Sequence, residues 1–148
     1  MTPPTDATAS RRAWGLLFVR LVLGLIFARA GWFKVFEMGP MVHAEQLFLP
    51  YAETTFLPAW SLWTMGALIP VVELAAGVLL LGGWRVFEAG LALGAVLVVV
   101  TFGHLLTEPL YAFNSHVIPR LMLLAVLLLA PVGWDRFTLD RLLAQRGR

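Results

Sequence analysis

Residues 20–34 read RLVLGLIFARAGWFK, an apolar stretch that nevertheless carries three cationic side chains. At about 100° per residue, Arg20 and Lys34 lie on one face of a helix, whereas Arg29 points to the opposite side. A cation near the middle of a bilayer costs roughly 2.5–3.5 kcal/mol, so such a helix turns it toward protein or water. Glu73 is the only carboxylate deep inside another apolar stretch of the sequence. We therefore predict an intramembrane ion pair between Arg20 and Glu73, which either fixes helix register or takes part in function.

The composition of the chain is that of a membrane protein. Of its 148 residues, 59% are hydrophobic and 14% are charged, against about 45–50% and about 25% in soluble domains. We expect an all-α fold, a four-helix transmembrane bundle without a soluble catalytic module. The absence of cysteine excludes thiol relays, disulfides and Fe–S ligation by this chain. Arginines flank the apolar stretches, which indicates membrane topology rather than nucleic-acid binding.

The apolar stretches divide the chain into four spans and two tails. A proline is tolerated inside a membrane helix, so Pro70 does not interrupt the second span. Three prolines between residues 38 and 59 argue against a spanning helix there. We predict a short interfacial segment between spans one and two, helical from Met41 to Leu49, or else a plain loop. The predicted boundaries are a cytoplasmic tail at 1–12, spans at 13–37, 60–81, 86–107 and 116–134, and a basic cytoplasmic tail at 135–148.

The cations fall on one side of this arrangement. The segments 38–59 and 108–115 contain no lysine or arginine. The positive-inside rule then places both termini in the cytoplasm of a bacterial-type inner membrane, as a multi-pass protein. Thr138 is suited to cap a short amphipathic helix in the C-terminal tail. The arginines on the cytoplasmic side are Arg11, Arg12, Arg85, Arg136, Arg141, Arg146 and Arg148.

A second polar group is expected in the outer third of the bundle. Its members suit a cavity that receives a quinone carbonyl, an anionic headgroup or a proton. Haem ligation by His104 and His116 is disfavoured, because no second shell is apparent and Arg120 would repel a metal cation. We expect no covalent cofactor and no metal site. The candidate ligand or proton site comprises Lys34, His104, Glu108, Asn114 and Arg120.

Small residues recur at helical spacing in three of the spans. Such positions let the backbones of membrane helices approach closely. The predicted helix-packing positions are Gly24, Gly31, Gly77, Gly90 and Gly94.

The order and spacing of these residues resemble the DoxX family of small four-helix membrane proteins. The resemblance implies an association with quinone-linked oxidoreduction and carries over to Arg20, Lys34 and Glu73, whereas Arg29 and Arg120 lie outside the family pattern. The motifs that carry it are Arg20-xxx-Gly24-xx-Phe27-xxx-Gly31-xx-Lys34, Pro70-xx-Glu73-xxx-Gly77, Leu79-Leu80-Leu81-Gly82 and the ending from Gly133 to Leu143.

Three functions fit the sequence. The first is a quinone- or lipid-interacting subunit of a membrane redox system, accessory to a membrane or peripheral partner that carries the electrons. The second is a small transporter or binding protein for an anion or lipid. The third is a scaffold without chemistry of its own, and a homo-oligomer is compatible with each. Whether the chain is an enzyme is left open by the sequence, and its expected environment is the lipid bilayer.

Overall fold

The computed structural model describes residues 6–108, 113–131 and 133–146, and within these ranges the regular structure is entirely helical. The all-α prediction is therefore confirmed. The helix that the sequence places in the first span already begins at Asp6, inside the stretch predicted as a tail. The helices are α1 (Asp6–Trp32), which continues as a π-helical segment (Phe33–Met38), α2 (Pro40–Leu47), α3 (Tyr51–Thr54), α4 (Ala59–Gly82), α5 (Val86–Thr107), α6 (Phe113–Leu129) and α7 (Leu139–Arg146).

Three of the described helices are long and apolar enough to cross a membrane. They cover Ala7–Met38, Ala59–Gly82 and Val86–Thr107, and a shorter apolar helix covers Val117–Leu129. Their outer faces expose large hydrophobic side chains, for example Leu25 and Val98, as expected of helices that face lipid rather than water. The chain is thus a helical membrane protein.

The closest helix contact joins α1 and α4, and it depends on glycine. A side chain on Gly31 would collide with the backbone of Leu74, and one on Gly77 would collide with the backbone of Ala28. Gly24 lies against the side chain of Leu81 in the same helix contact. Small residues permit this approach, in which dispersion contacts hold two membrane helices together. The pairs also show that α1 and α4 run antiparallel.

The other long helices complete the core around this pair. Leu23 of α1, Leu93 of α5 and Leu124 of α6 are almost completely buried in one apolar cluster. Gly90 of α5 lies against Leu128, and Gly94 lies in ordinary contact with Leu124. Helices α5 and α6 therefore also pack antiparallel.

The segment between α1 and α4 folds back against the bundle. Gly39, with φ +91°, separates the π-helical segment from α2, a conformation that glycine adopts without strain. Ala44 of α2 is fully buried against Gly66 of α4. Since Gly66 lies seven residues after Ala59, α2 contacts α4 about 10 Å along its axis. The predicted interfacial segment is thus helical in part. One side of α2 packs against α4, and the other side is exposed.

We expect Gly31→Ala and Gly15→Ala to have opposite effects on stability. Alanine at Gly15, where nothing lies within 4 Å of an added Cβ, should stabilise α1 by roughly 0.5–1 kcal/mol through helix propensity. Alanine at Gly31 should cost about 1–3 kcal/mol, because the added Cβ meets Leu74. Unfolding of the detergent-solubilised protein measures both. Equal effects at the two positions would contradict the α1–α4 contact.

Candidate functional site

Arg20 is buried among partners that differ from the predicted one. Its side chain is 2% exposed, and its Nε donates to Oδ2 of Asp135 at 3.1 Å. Its two terminal nitrogens donate to the carbonyl oxygens of Leu80 and Phe137, each at 2.6 Å. The predicted ion pair between Arg20 and Glu73 is therefore not formed, and Glu73 has another partner.

The register of α1 against α4 explains this correction. The contact of Gly31 with Leu74 places Glu73 near the end of α1, eleven or more residues beyond Arg20. Leu80, which Arg20 reaches, lies seven residues past Glu73, or about 10 Å further along α4. The prediction paired Arg20 with Glu73 because Glu73 is the only carboxylate deep inside another apolar stretch, whereas the glycine contacts set the two side chains apart along the helices.

Arg20 closes the end of α4 and binds the C-terminal segment to it. The last carbonyls of a helix have no hydrogen-bond donor within the helix. At the end of α4 the guanidinium of Arg20 donates to the carbonyl of Leu80 and, at a longer distance, to that of Leu81. Gly83 ends the helix with φ +67°, and a side chain there would contact the guanidinium of Arg20. This conformation and the lack of space both favour glycine.

The C-terminal segment also closes the start of α5. The carboxylate of Asp140 accepts hydrogen bonds from the backbone N–H groups of Arg85 and Val86 at 2.8 and 3.1 Å. Thr138 is buried, and its Oγ1 accepts from the N–H of Arg141, which is the predicted cap of α7. Asp135, Thr138 and Asp140 thus hold the tail against the bundle, and we assign Arg20 a structural role.

Glu73 pairs with Lys34. Lys34 Nζ lies 2.6 Å from Oε2 of Glu73, and the side chains are 26% and 9% exposed. Lys34 belongs to the π-helical segment, and such segments occur frequently at functional sites. Breaking this partly buried pair leaves the Glu73 carboxylate without compensation in an apolar surrounding, which is costly.

Lys34 lies between two cavities. The larger, which we call the outer cavity, has a volume of about 520 Å³ and lies among α2, α3, α4 and α5. Its wall is mainly apolar, with Leu62, Met65 and Val99 among its members. The polar side chains that line it are Lys34, His43, Tyr51, Ser61 and His104.

The smaller cavity, which we call the inner cavity, has a volume of about 240 Å³ and carries most of the charge. Its charged lining residues are Lys34, Glu73 and Arg120, and the guanidinium of Arg120 lies 6.0 Å from the ring centre of Phe27. The remaining wall is formed by Val96, Leu97, Val100 and Val117.

The structure does not bring the predicted ligand-site residues together in one cavity. Lys34 borders both cavities, His104 borders the outer cavity and Arg120 borders the inner cavity. Glu108 is exposed where α5 ends and lines neither of the two. The side chains of Asn114 and His116 lie outside the described residues, so their predicted contributions are not placed.

Sequence reasoning missed His43 and Tyr51. Both lie in the short segment between α1 and α4, which the sequence predicts as an interfacial segment or a plain loop. Tyr51 Oη lies 3.4 Å from Nδ1 of His104, with the two rings edge to face. A histidine and a tyrosine in a segment of otherwise mostly apolar residues were the available signal, since each is a hydrogen-bonding side chain.

The surroundings of His43 disfavour its protonated form. Its side chain is buried, and Nδ1 donates to the carbonyl of Gly66 at 2.7 Å. Burial lowers the pKa of His43, and the nearby Lys34 lowers it further, while the bond to Gly66 and the charge of Glu73 raise it. The net direction is downward from the ordinary value of 6.5.

We expect His43 to make folding stability depend on pH. Since its pKa is lower in the folded state, the unfolded chain binds the proton first. Stability should be full above pH 6.5 and should fall as the pH decreases toward the folded-state pKa, by about 1.4 kcal/mol for each unit between the two values. His43→Asn, which keeps a donor toward Gly66, should lose this component in unfolding measured across pH. Identical pH profiles for the two proteins would contradict the assignment.

The comparisons with known proteins identify the family. No curated protein matches the chain, and no solved structure matches it. Residues 12–117 match the family model of MauE, described as methylamine utilisation protein MauE. MauE is a membrane protein family different from DoxX, so the inferred DoxX resemblance is wrong as an assignment. Because the match covers well over half of the sequence, this chain belongs to the MauE family.

Proposed function

We propose that this chain serves a redox system of methylamine utilisation as a quinone-binding accessory subunit of the inner membrane. The family description supports the connection with methylamine utilisation. The chain contains no cysteine, so any thiol or Fe–S chemistry in that system belongs to a partner. The observation that carries the proposal is the outer cavity, in which hydrogen-bonding side chains border an otherwise apolar space.

The outer cavity has the chemistry that a quinone headgroup requires. A quinone offers two carbonyl oxygens, which only accept hydrogen bonds, on an apolar ring. Lys34, Tyr51 and His104 are side chains that donate, and they lie around a space whose wall is otherwise mainly apolar. A few placed polar groups in an apolar cavity of this size are typical of small-molecule sites.

The same chain folds, in this proposal, as a four-span bundle with both termini in the cytoplasm. Helix α6 packs against α1 and α5, which supports the proposal that it is the fourth span although it is shorter than the others. The end of the bundle where Arg20 binds the tail also carries Arg85, Arg136 and Arg141, whereas segment 38–59 has no lysine or arginine. This distribution is the positive-inside pattern.

Binding of decylubiquinone to the purified protein in nanodiscs tests the proposal. Val99→Trp fills the outer cavity and should weaken binding at least about tenfold, or ~1.4 kcal/mol. Val98→Trp is the matched control, because the neighbouring Val98 is 68% exposed and faces away from the core. Thermal unfolding with increasing ligand gives the affinity, since a ligand that binds only the folded state stabilises it.

Decylbenzene, which has a ring and tail but no carbonyl oxygen, separates the quinone proposal from general lipid binding. Wild-type protein should prefer decylubiquinone, and His104→Gln should reduce that preference. Equal binding of the two compounds would instead favour an apolar lipid site. No binding of either, or equal binding by the two tryptophan variants, would contradict the proposed site.

A further inference from the structure

The C-terminal segment leaves one side of α7 uncovered. Leu139, Leu142 and Leu143 are 46%, 55% and 55% exposed. Residues three and four apart lie on the same side of a helix, so these leucines form one apolar face, which we call the α7 leucine face. Arg141 and Gln145 lie on the other side of the helix. The short helix is therefore amphipathic, with its apolar side turned away from the bundle.

Contacts with the bundle fix α7 at the level where α4 ends and α5 begins. A Cβ added to Gly82, the last residue of α4, would lie 4.0 Å from the side chain of Leu139. The N–H of Asp140 donates to the carbonyl of Gly83 at 3.2 Å, and its carboxylate accepts from the N–H of Arg85. The α7 leucine face is thus held at one end of the apolar bundle.

The exposed apolar surface continues from the tail onto the side of α1. The ring of Phe137 lies 4.8 Å from that of Trp14, which in turn lies 6.1 Å from the ring of Phe18. Phe18 and Leu25 are both 60% exposed on α1. Tryptophan is enriched at the boundary between membrane and water, so Trp14 marks the level of the lipid headgroups. The C-terminal segment beside it lies at that level.

The charges of the tail are divided between the protein and its surroundings. Asp135 belongs to the ion pair that holds the tail, and Asp140 accepts from the backbone at the start of α5, so both carboxylates are turned inward. Arg136 and Arg146 are exposed, and Arg141 is half-buried. Among the described residues, these three arginines form no ion pair. The outward surface around the α7 leucine face is therefore cationic.

From this arrangement we propose that the α7 leucine face lies in the membrane interface, where Arg136, Arg141 and Arg146 bind the phosphates of anionic phospholipids. An amphipathic helix with a basic polar side binds a lipid surface by burying its apolar side at the boundary of headgroups and acyl chains. Arginine matches phosphate oxygens in a bidentate geometry. The proposed topology places this end at the cytoplasmic leaflet, which carries anionic lipids. The inference uses neither cavity and is independent of the quinone proposal.

The depth of α7 tests the first part of the proposal. The chain contains no cysteine, so a single introduced thiol can be labelled with the fluorophore NBD. Leu143→Cys and Gln145→Cys replace exposed residues on opposite sides of α7, which makes them a matched pair. In nanodiscs of equal parts phosphatidylglycerol and phosphatidylcholine, the label at position 143 should emit at shorter wavelength than the label at position 145. Phosphatidylcholine with a nitroxide near the start of its acyl chain should quench the label at position 143 more strongly.

Equal emission and equal quenching at the two positions would overturn the proposal. An unquenched label at position 143 would do the same, because it would indicate that water or another protein covers the α7 leucine face.

The headgroup preference tests the second part. Phosphatidylglycerol and phosphatidylcholine with identical acyl chains compete for the detergent-solubilised protein, and native mass spectrometry counts the bound lipids. Wild-type protein should prefer phosphatidylglycerol, and the preference should weaken as salt is added. Replacing Arg136, Arg141 and Arg146 by glutamine should reduce the preference by about fivefold for each arginine, or ~1 kcal/mol.

The matched control replaces the same three arginines by lysine. It keeps the charge and should retain most of the preference for phosphatidylglycerol. Equal binding of the two lipids by wild-type protein would contradict the recognition of anionic lipid. An unchanged preference in the glutamine variant would exclude these three arginines as its source and would also overturn the proposal.

Discussion

A charge that is buried in an apolar bundle must be compensated within protein, and this constraint joins the end of α4 and the C-terminal segment to α1 at one end of the molecule. Arg20 is 2% exposed and donates to the carboxylate of Asp135 and to the carbonyls of Leu80 and Phe137. A single guanidinium thereby joins α1, the end of α4 and the C-terminal segment. Without these partners its cost in the membrane interior would be several kcal/mol.

Because Asp135 of the tail compensates the charge of Arg20, Glu73 pairs with Lys34 instead. The α1–α4 register brings Glu73 to Lys34, which lies between the two cavities. One ion pair is therefore structural and closes an end of the bundle, while the other lies where Lys34 borders both cavities. The proposed quinone site includes Lys34 of this second pair but not Glu73.

Much of the fold followed from elementary properties of the sequence, because long apolar stretches and proline positions indicate membrane helices directly. The pairing of the buried charged side chains could not be predicted from these properties. Pairing depends on helix register, which Gly31 and Gly77 set through backbone contacts that periodicity does not measure. The partner of Arg20 lies 115 residues away in a polar tail. The resemblance to DoxX rested on short motifs that include Arg20, Lys34 and Glu73, and it was wrong as an assignment.

Double-mutant cycles on unfolding free energy test this division of the charges most directly. Lys34→Gln and Glu73→Gln should be strongly coupled, by about 0.5–3 kcal/mol, as expected for residues in contact. Arg20→Gln and Glu73→Gln should be additive within about 0.5 kcal/mol, because they belong to separate centres. Strong coupling of Arg20 with Glu73, together with additivity of Lys34 and Glu73, would contradict the account.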